Sequence, residues 1–125
     1  MMIVQEVKQK AIDVLETFCP NNVYLQGTLN PDVEYPQKFI TFFISTTELD
    51  AFYDDDSNTV GFYLIVMFYS DDPTEVATIP QEIWLAMKSE GFIPDGIGND
   101  IISDVESHTG WAMDFKYIVN LMEKE

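Results

Sequence analysis

Residues 59–70, TVGFYLIVMFYS, are the most apolar run of the chain and decide its fold. Alternate side chains of an extended strand point to opposite faces of a sheet. One face of this strand would carry Val60, Phe62, Leu64, Val66 and Phe68, and the other Tyr63, Ile65, Met67 and Tyr69. Because both faces are apolar, the run predicts a central strand with apolar groups against each side.

Two further segments predict helices, one before and one after this strand. Residues 2–18 place apolar side chains at steps of three and four, which is the spacing of an amphipathic helix. Asp72 is a good N-cap and Pro73 suits the first helical position. A second helix is therefore predicted over 73–90, with Gly91 as its C-cap.

The other segments predict the remaining strands and an acidic loop. Strands are expected over 23–28, 38–46, 100–106 (a short one) and 111–119, and the loop over 47–58. Helix, three strands, helix and one or two strands predict an α+β fold. Its single, mostly antiparallel sheet has four to five strands and carries both helices on one face. Residues 1–125 are predicted to form one domain, with 120–125 as a frayed tail.

The composition limits the possible functions. The chain has 22 acidic residues, six lysines, no arginine and a net charge of −16. Arginine is the usual bidentate ligand of phosphate, and nucleic-acid affinity comes mainly from neutralising phosphates. Ordinary nucleic-acid binding is therefore not expected, whereas a solubilising surface, or one that repels or imitates DNA, fits this charge. No run reaches the roughly 18 apolar residues that a membrane span needs.

The acidic loop matches a calcium-binding loop only in part. Asp54, Asp56 and Asn58 occupy the first three ligand positions of such a loop. Its conserved glycine position is Thr59 here, and its final bidentate glutamate position is Ile65. We therefore interpret the loop as a solvated turn rather than a metal site.

No other motif predicts catalysis, a metal or a cofactor. His108 is the only histidine, which excludes a histidine-based metal cluster, and Cys19 is expected to be an inert thiol. The segment HTGW is interpreted as structural. His108 would bond to backbone in a turn, Thr109 and Gly110 would reverse the chain, and Trp111 would anchor the last strand. The sequence does not predict an enzyme.

The strand over 59–70, which is apolar on both faces, predicts self-assembly. Two helices in this topology cover one face of the sheet, and the other face would leave a large apolar patch in water, which monomers seldom tolerate. We expect the face with Leu64 to meet the helices. The opposite face would meet another subunit through Tyr63, Ile65, Met67 and Tyr69. The alternative is that a loop folds back and covers the patch.

The second half of the chain carries a more specific pattern. The segment FYSDDPTEVATIPQEIWLAMKSEGF, whose helix ends in Gly91-Phe92, is followed by SDVESHTGWAMDFKYI. This pattern resembles the small neck and tail-completion proteins of long-tailed bacteriophages and prophages of Gram-positive bacteria. The resemblance covers about residues 3–119 in element order and is specific over about 52–117.

The resemblance implies a tail-terminator-like protein. Such proteins have a sheet flanked by helices and form rings, usually hexamers, that cap the tail tube and join it to the head. DNA passes through the ring without being gripped. The implied partners are further copies of the chain and other phage neck or tail-tube proteins. The implied locations are the cytoplasm of the bacterial host during assembly, and then the virion. The chain shows no obvious separate docking segment, so a sibling role in the neck stays open.

A second hypothesis belongs to another class, the acidic DNA-mimic inhibitors of host DNA-handling enzymes. Such proteins space carboxylates along a surface as DNA spaces phosphates. Here the acidic residues cluster at 48–56, 71–75 and 95–106, between apolar strands. That distribution is more typical of loops than of a phosphate-like row. A small-molecule enzyme is the least supported alternative.

Overall fold

A computed structural model describes residues 3–25, 36–51, 58–102 and 107–120. These residues form two helices and six strands. In chain order they are α1 (Ile3–Leu15), β1 (Val23–Leu25), β2 (Lys38–Ala51), β3 (Asn58–Ser70), α2 (Pro73–Ser89), β4 (Ile93–Pro94), β5 (Asn99–Ile101) and β6 (Thr109–Asn120).

The strands form one mixed sheet with β3 at its centre. The order is β1-β2-β3-β6-β4, with β5 also paired to β6. The contacts of β3 with β2 and β6 are antiparallel, as are those of β4 and β5 with β6, whereas β1 runs parallel to β2. The predicted α+β class and mostly antiparallel sheet are confirmed. The predicted count of four to five strands is wrong, because both β4 and β5 pair with β6.

Several boundaries in the structure differ from the predicted ones. Strand β2 continues through the acidic segment to Ala51, which pairs with Asn58, so the predicted loop over 47–58 is wrong at both ends. Helix α1 ends at Leu15, where Phe18 N and Cys19 N both bond to the Leu15 carbonyl, rather than at residue 18. Residue 120 belongs to β6, so the predicted frayed tail is wrong at that residue, and residues 121–125 lie outside the described residues. The predicted strand ends at 26–28 and 103–106 lie outside the described residues.

One hydrophobic core lies between the helices and one face of the sheet. From β3 it takes Phe62, Leu64, Val66 and Phe68, none of which is more than 2% exposed. Both helices contribute buried side chains to this same core, namely Val7, Ala11 and Leu15 of α1 and Val76, Ile83 and Met87 of α2. Both helices therefore lie on one side of the sheet, and the predicted core face of β3 is confirmed.

Local signals fix both ends of α2. Asp72 Oδ1 accepts a hydrogen bond from Thr74 N at 2.9 Å, and Pro73 occupies the first turn, where its missing N–H costs nothing. At the other end Gly91 has φ 95°, and the bonds Gly91 N to Lys88 O and Phe92 N to Met87 O close a Schellman motif. The cap residue itself is Glu90, one residue before the predicted one.

We expect Leu64→Ala to lower the free energy of unfolding by about 2–5 kcal/mol, because it leaves a cavity in a fully buried site. Leu85 on α2 is 54% exposed and provides a chemically matched control. Leu85→Ala should change the free energy by less than about 0.5 kcal/mol. Urea unfolding followed by circular dichroism measures both values. Equal losses for the two variants would contradict the core described here.

Candidate functional site

The side of the sheet away from the helices is the candidate site, and we call it the open face. Cross-strand partners share a face, and two rows cross it at its centre: Thr41–Met67–Ala112 and Phe43–Ile65–Asp114. The four predicted interface residues, Tyr63, Ile65, Met67 and Tyr69, all lie on it and are partly buried. Within the described residues, none of these four packs against the hydrophobic core.

An aromatic cluster closes one end of the open face. Phe39 and Tyr69 stack with ring centroids 4.9 Å apart, and the His108 ring lies 5.7 Å from that of Phe39. Phe39 is only 3% exposed although it lies outside the core. Gly110 permits this arrangement, because a Cβ there would lie 2.8 Å from Tyr69 Cδ1 and 2.9 Å from Ile101 Cγ1. This end of the face is packed within the subunit.

The structure corrects the predicted turn at residues 108–110. Thr109 and Gly110 are the first residues of β6 and pair with Ser70 and Tyr69, so they do not reverse the chain. His108 bonds to backbone, but over a long range: its Nε2 lies 2.8 Å from the Pro36 carbonyl oxygen. Its Nδ1 lies 2.9 Å from Ser107 Oγ. Because the carbonyl only accepts, Nε2 carries the proton, and the ring holds the start of β2 to the start of β6.

The opposite end of the open face is polar. Tyr63 donates its hydroxyl proton to Glu48 Oε2 at 3.0 Å, and Lys116 Nζ lies 5.1 Å from the centre of the Tyr63 ring. A β-bulge between Ile44 and Thr46 shifts the strand here. A depression of about 390 Å³ opens beside Tyr63 and is lined partly by Ile65 and Asp114. Single-sequence reasoning carries no signal for the bulge or for this depression.

Charge is sparse at the centre of the open face. Of the six side chains in the two central rows, Asp114 is charged and is exposed at the β6 end of its row. The other five form what we call the uncharged centre, in a chain with net charge −16: Thr41, Phe43, Ile65, Met67 and Ala112. The nearest charges form a rim, with Asp114 exposed beside Ile65 and Lys116 beside Tyr63. Depletion of charge at the centre and polar residues at the edge are typical of the core and rim of a protein–protein interface.

The candidate metal ligands among the described residues lie apart from one another. In the ranges that the structure describes, no three His, Cys, Asp or Glu side chains converge as metal ligands. Burial raises the pKa of the Cys19 thiol to about 11, so Cys19 stays protonated near neutral pH and is a poor nucleophile. Asp54 and Asp56 lie outside the described residues, and the interpretation of their loop stays a prediction.

Trp111 ties β6 to a neighbouring loop. Its indole Nε1 donates to the Ile97 carbonyl at 3.0 Å, and Trp84 Nε1 donates to the Gly96 carbonyl at 2.9 Å. Two indoles, one from β6 and one from α2, thus hold the loop that connects β4 to β5. This loop lies on the helix side of the sheet, because Trp111 pairs with the core residue Phe68.

A polar network joins the start of α2 to the start of β2 and to the end of β3. The buried Ser70 donates from Oγ to Glu75 Oε1 at 2.6 Å, and Gln37 Nε2 donates to the same oxygen at 2.7 Å. Lys38 Nζ lies 3.8 Å from Glu75 Oε2. The hydrogen bonds from Gln37 and Ser70 hold the pKa of Glu75 below its ordinary value of 4.5. The network requires partners from three elements, so sequence spacing alone does not reveal it.

No protein-family model matches the chain, and no curated protein is significantly similar. Neither helix among the described residues is long and apolar enough to cross a membrane.

We expect Glu75→Gln to remove a pH-dependent part of the stability. A carboxylate whose folded pKa is depressed stabilises the fold above its unfolded pKa, near 4.5, and loses that contribution as the pH falls through the folded pKa. The difference in free energy of unfolding between wild type and Glu75→Gln should therefore be larger at neutral pH than at about pH 3. Urea unfolding at both pH values measures it.

The exposed Glu82, on the same helix, provides the control as Glu82→Gln. This variant should track the wild type much more closely across the same pH range. If Glu75→Gln and Glu82→Gln show the same pH dependence, the network does not stabilise the fold in the way described.

Proposed function

We propose that the protein is a structural component of a long-tailed bacteriophage. In this proposal, copies of the chain assemble through the open face into a ring at the head–tail junction or at the end of the tail tube. The pattern around Gly91-Phe92 and Trp111 supports the tail-completion class by resemblance. The single observation that carries self-assembly is the open face, which is apolar although both helices pack on the other side.

Repulsion between negative charges limits which surfaces of two copies can form a contact. Each subunit carries a net charge of −16, so most approaches of one copy to another are repelled. The uncharged centre of the open face avoids that repulsion and offers Phe43, Ile65 and Met67 as apolar contacts. A contact centred there removes apolar area from water and leaves Asp114, the one carboxylate of the two central rows, at its edge.

The same charge suits a ring through which DNA passes. A channel that lets DNA slide has to avoid tight phosphate contacts, and this chain has no arginine and an excess of carboxylates. Closed rings arise from head-to-tail contacts between unlike surfaces. Other neck or tail-tube proteins are the further partners in this proposal.

We expect Ile65→Asp to leave the monomer folded and to block assembly. The new carboxylate would be buried at the subunit contact without a partner, at a cost of several kcal/mol. Multi-angle light scattering gives the mass of the wild type and the variant, and negative-stain electron microscopy shows whether wild-type assemblies are rings. The wild type should form multiples of the 14.3 kDa subunit, and Ile65→Asp should stay at one.

Three further variants control this experiment. Met67→Asp tests the same face at a position that is not paired with Asp114. Val4→Asp places a charge on an exposed apolar site of α1 and should assemble normally. Leu64→Asp places a charge in the core and should unfold the chain. If Ile65→Asp is as unfolded as Leu64→Asp, both faces are internal and the proposal fails.

The DNA-mimic hypothesis gives a different outcome in the same experiment. Under that hypothesis the wild type is a monomer or a dimer, and Ile65→Asp has the same mass. If such a protein also binds and inhibits a DNA-handling enzyme, the DNA-mimic hypothesis replaces the ring proposal.

A further inference from the structure

A second uncharged apolar surface lies on the helix side of the sheet, and we call it the α2 groove. It has a volume of about 490 Å³ between α2 and the loop that connects β4 to β5, and it is lined by Val76, Ala77, Pro80, Gln81, Trp84, Leu85, Ile97 and Trp111. None of these side chains is charged, although α2 also carries Glu75 and Glu82. Two of them project into solvent, with Leu85 54% and Ile97 71% exposed.

The groove is built for a protein surface rather than for a small ligand. Small-molecule sites place a few polar groups where they can orient the ligand. Here both indole N–H groups already donate to carbonyls of the loop, from Trp84 to Gly96 and from Trp111 to Ile97. Gln81 is the one polar side chain among the lining residues.

The charges beside the two surfaces are complementary. Lys88 is exposed next to the groove, with its Nζ 5.3 Å from the centre of the Trp84 ring, and it has no ion pair among the described residues. Asp114 is exposed beside Ile65 on the open face and likewise forms no ion pair within the described part of the chain. Each surface thus combines an uncharged apolar centre with a rim that carries both signs of charge. Lys88, Glu82 and Asp100 lie beside the groove, and Asp114 and Lys116 lie beside the open face, so opposite charges can meet when the two surfaces pair.

We propose that the α2 groove receives the open face of a second copy of this chain. The two surfaces lie on opposite sides of one sheet, so one copy cannot bring its own open face to its own groove. The contact between copies is then head to tail. Repeating the contact gives a closed ring or a filament rather than an isolated two-fold dimer. This inference rests on the proposed self-assembly and adds the surface to which the open face binds.

Two single variants and their mixture test the pairing. Leu85→Glu disables the groove and keeps the open face, whereas Ile65→Asp disables the open face and keeps the groove. Each variant alone should remain monomeric by light scattering. An equimolar mixture should form a 1:1 heterodimer, because one intact groove and one intact face remain. High concentration is needed, since a single junction lacks the gain in affinity from ring closure.

Two further variants control for the added charge and for loss of folding. Thr78→Glu adds the same charge to an exposed position of α2 outside the groove and should assemble as the wild type does. Ile97→Glu, in the loop, replaces Leu85→Glu if that variant proves unfolded by circular dichroism.

Each alternative result identifies what fails. Normal assembly of Leu85→Glu and Ile97→Glu would show that the groove lies outside the contact, and would overturn this inference while leaving the open face in place. A mixture that stays monomeric would show that the two surfaces do not pair, and would also overturn it. A wild type that never assembles would overturn the proposed function itself.

Discussion

The fold is organised by the packing of β3 against the helices on one side of the sheet only. Antiparallel partners occupy both edges of β3, so its backbone is paired along its length with β2 and β6. Its side chains can then be buried only above and below the sheet. The helices cover the face with Leu64 and Val66 and complete the single core on that side. Ile65 and Met67 are left on the other side, outside the hydrophobic core that the described residues form.

The features that sequence reasoning found are those encoded locally. Alternation in β3 predicts which residues enter the core, and Asp72 with Pro73 predicts the start of α2, because each signal lies within one element. The features that it missed depend on residues far apart in the chain. The extension of β2 to Ala51 requires the partner strand β3, and the contact between His108 and Pro36 spans 72 residues. Propensity carries no information about such partners.

The candidate site divides in the same way. Its four β3 residues follow from the two-residue period of a strand, so the sequence is sufficient to place them on one face. The uncharged centre and charged rim arise from the register of three strands, which brings Asp114 beside Ile65 and Lys116 beside Tyr63. The α2 groove is harder to predict from the sequence. Trp84 and Trp111 come from separate elements, and both indoles bond to the loop that connects β4 to β5. In an acidic chain, these two uncharged surfaces are where copies can approach without strong repulsion.

The most direct test of the account is to identify what lies against the open face in solution. A photoreactive benzoylphenylalanine at position 67, in place of Met67, would cross-link to its nearest neighbour on illumination. Mixing ¹⁴N- and ¹⁵N-labelled protein before illumination lets mass spectrometry separate cross-links between copies from those within one copy. We expect mixed-isotope cross-links between copies, with peptides of α2 among the products. Cross-links confined to single copies would show that the chain covers its own open face, and would rule out self-assembly through that face.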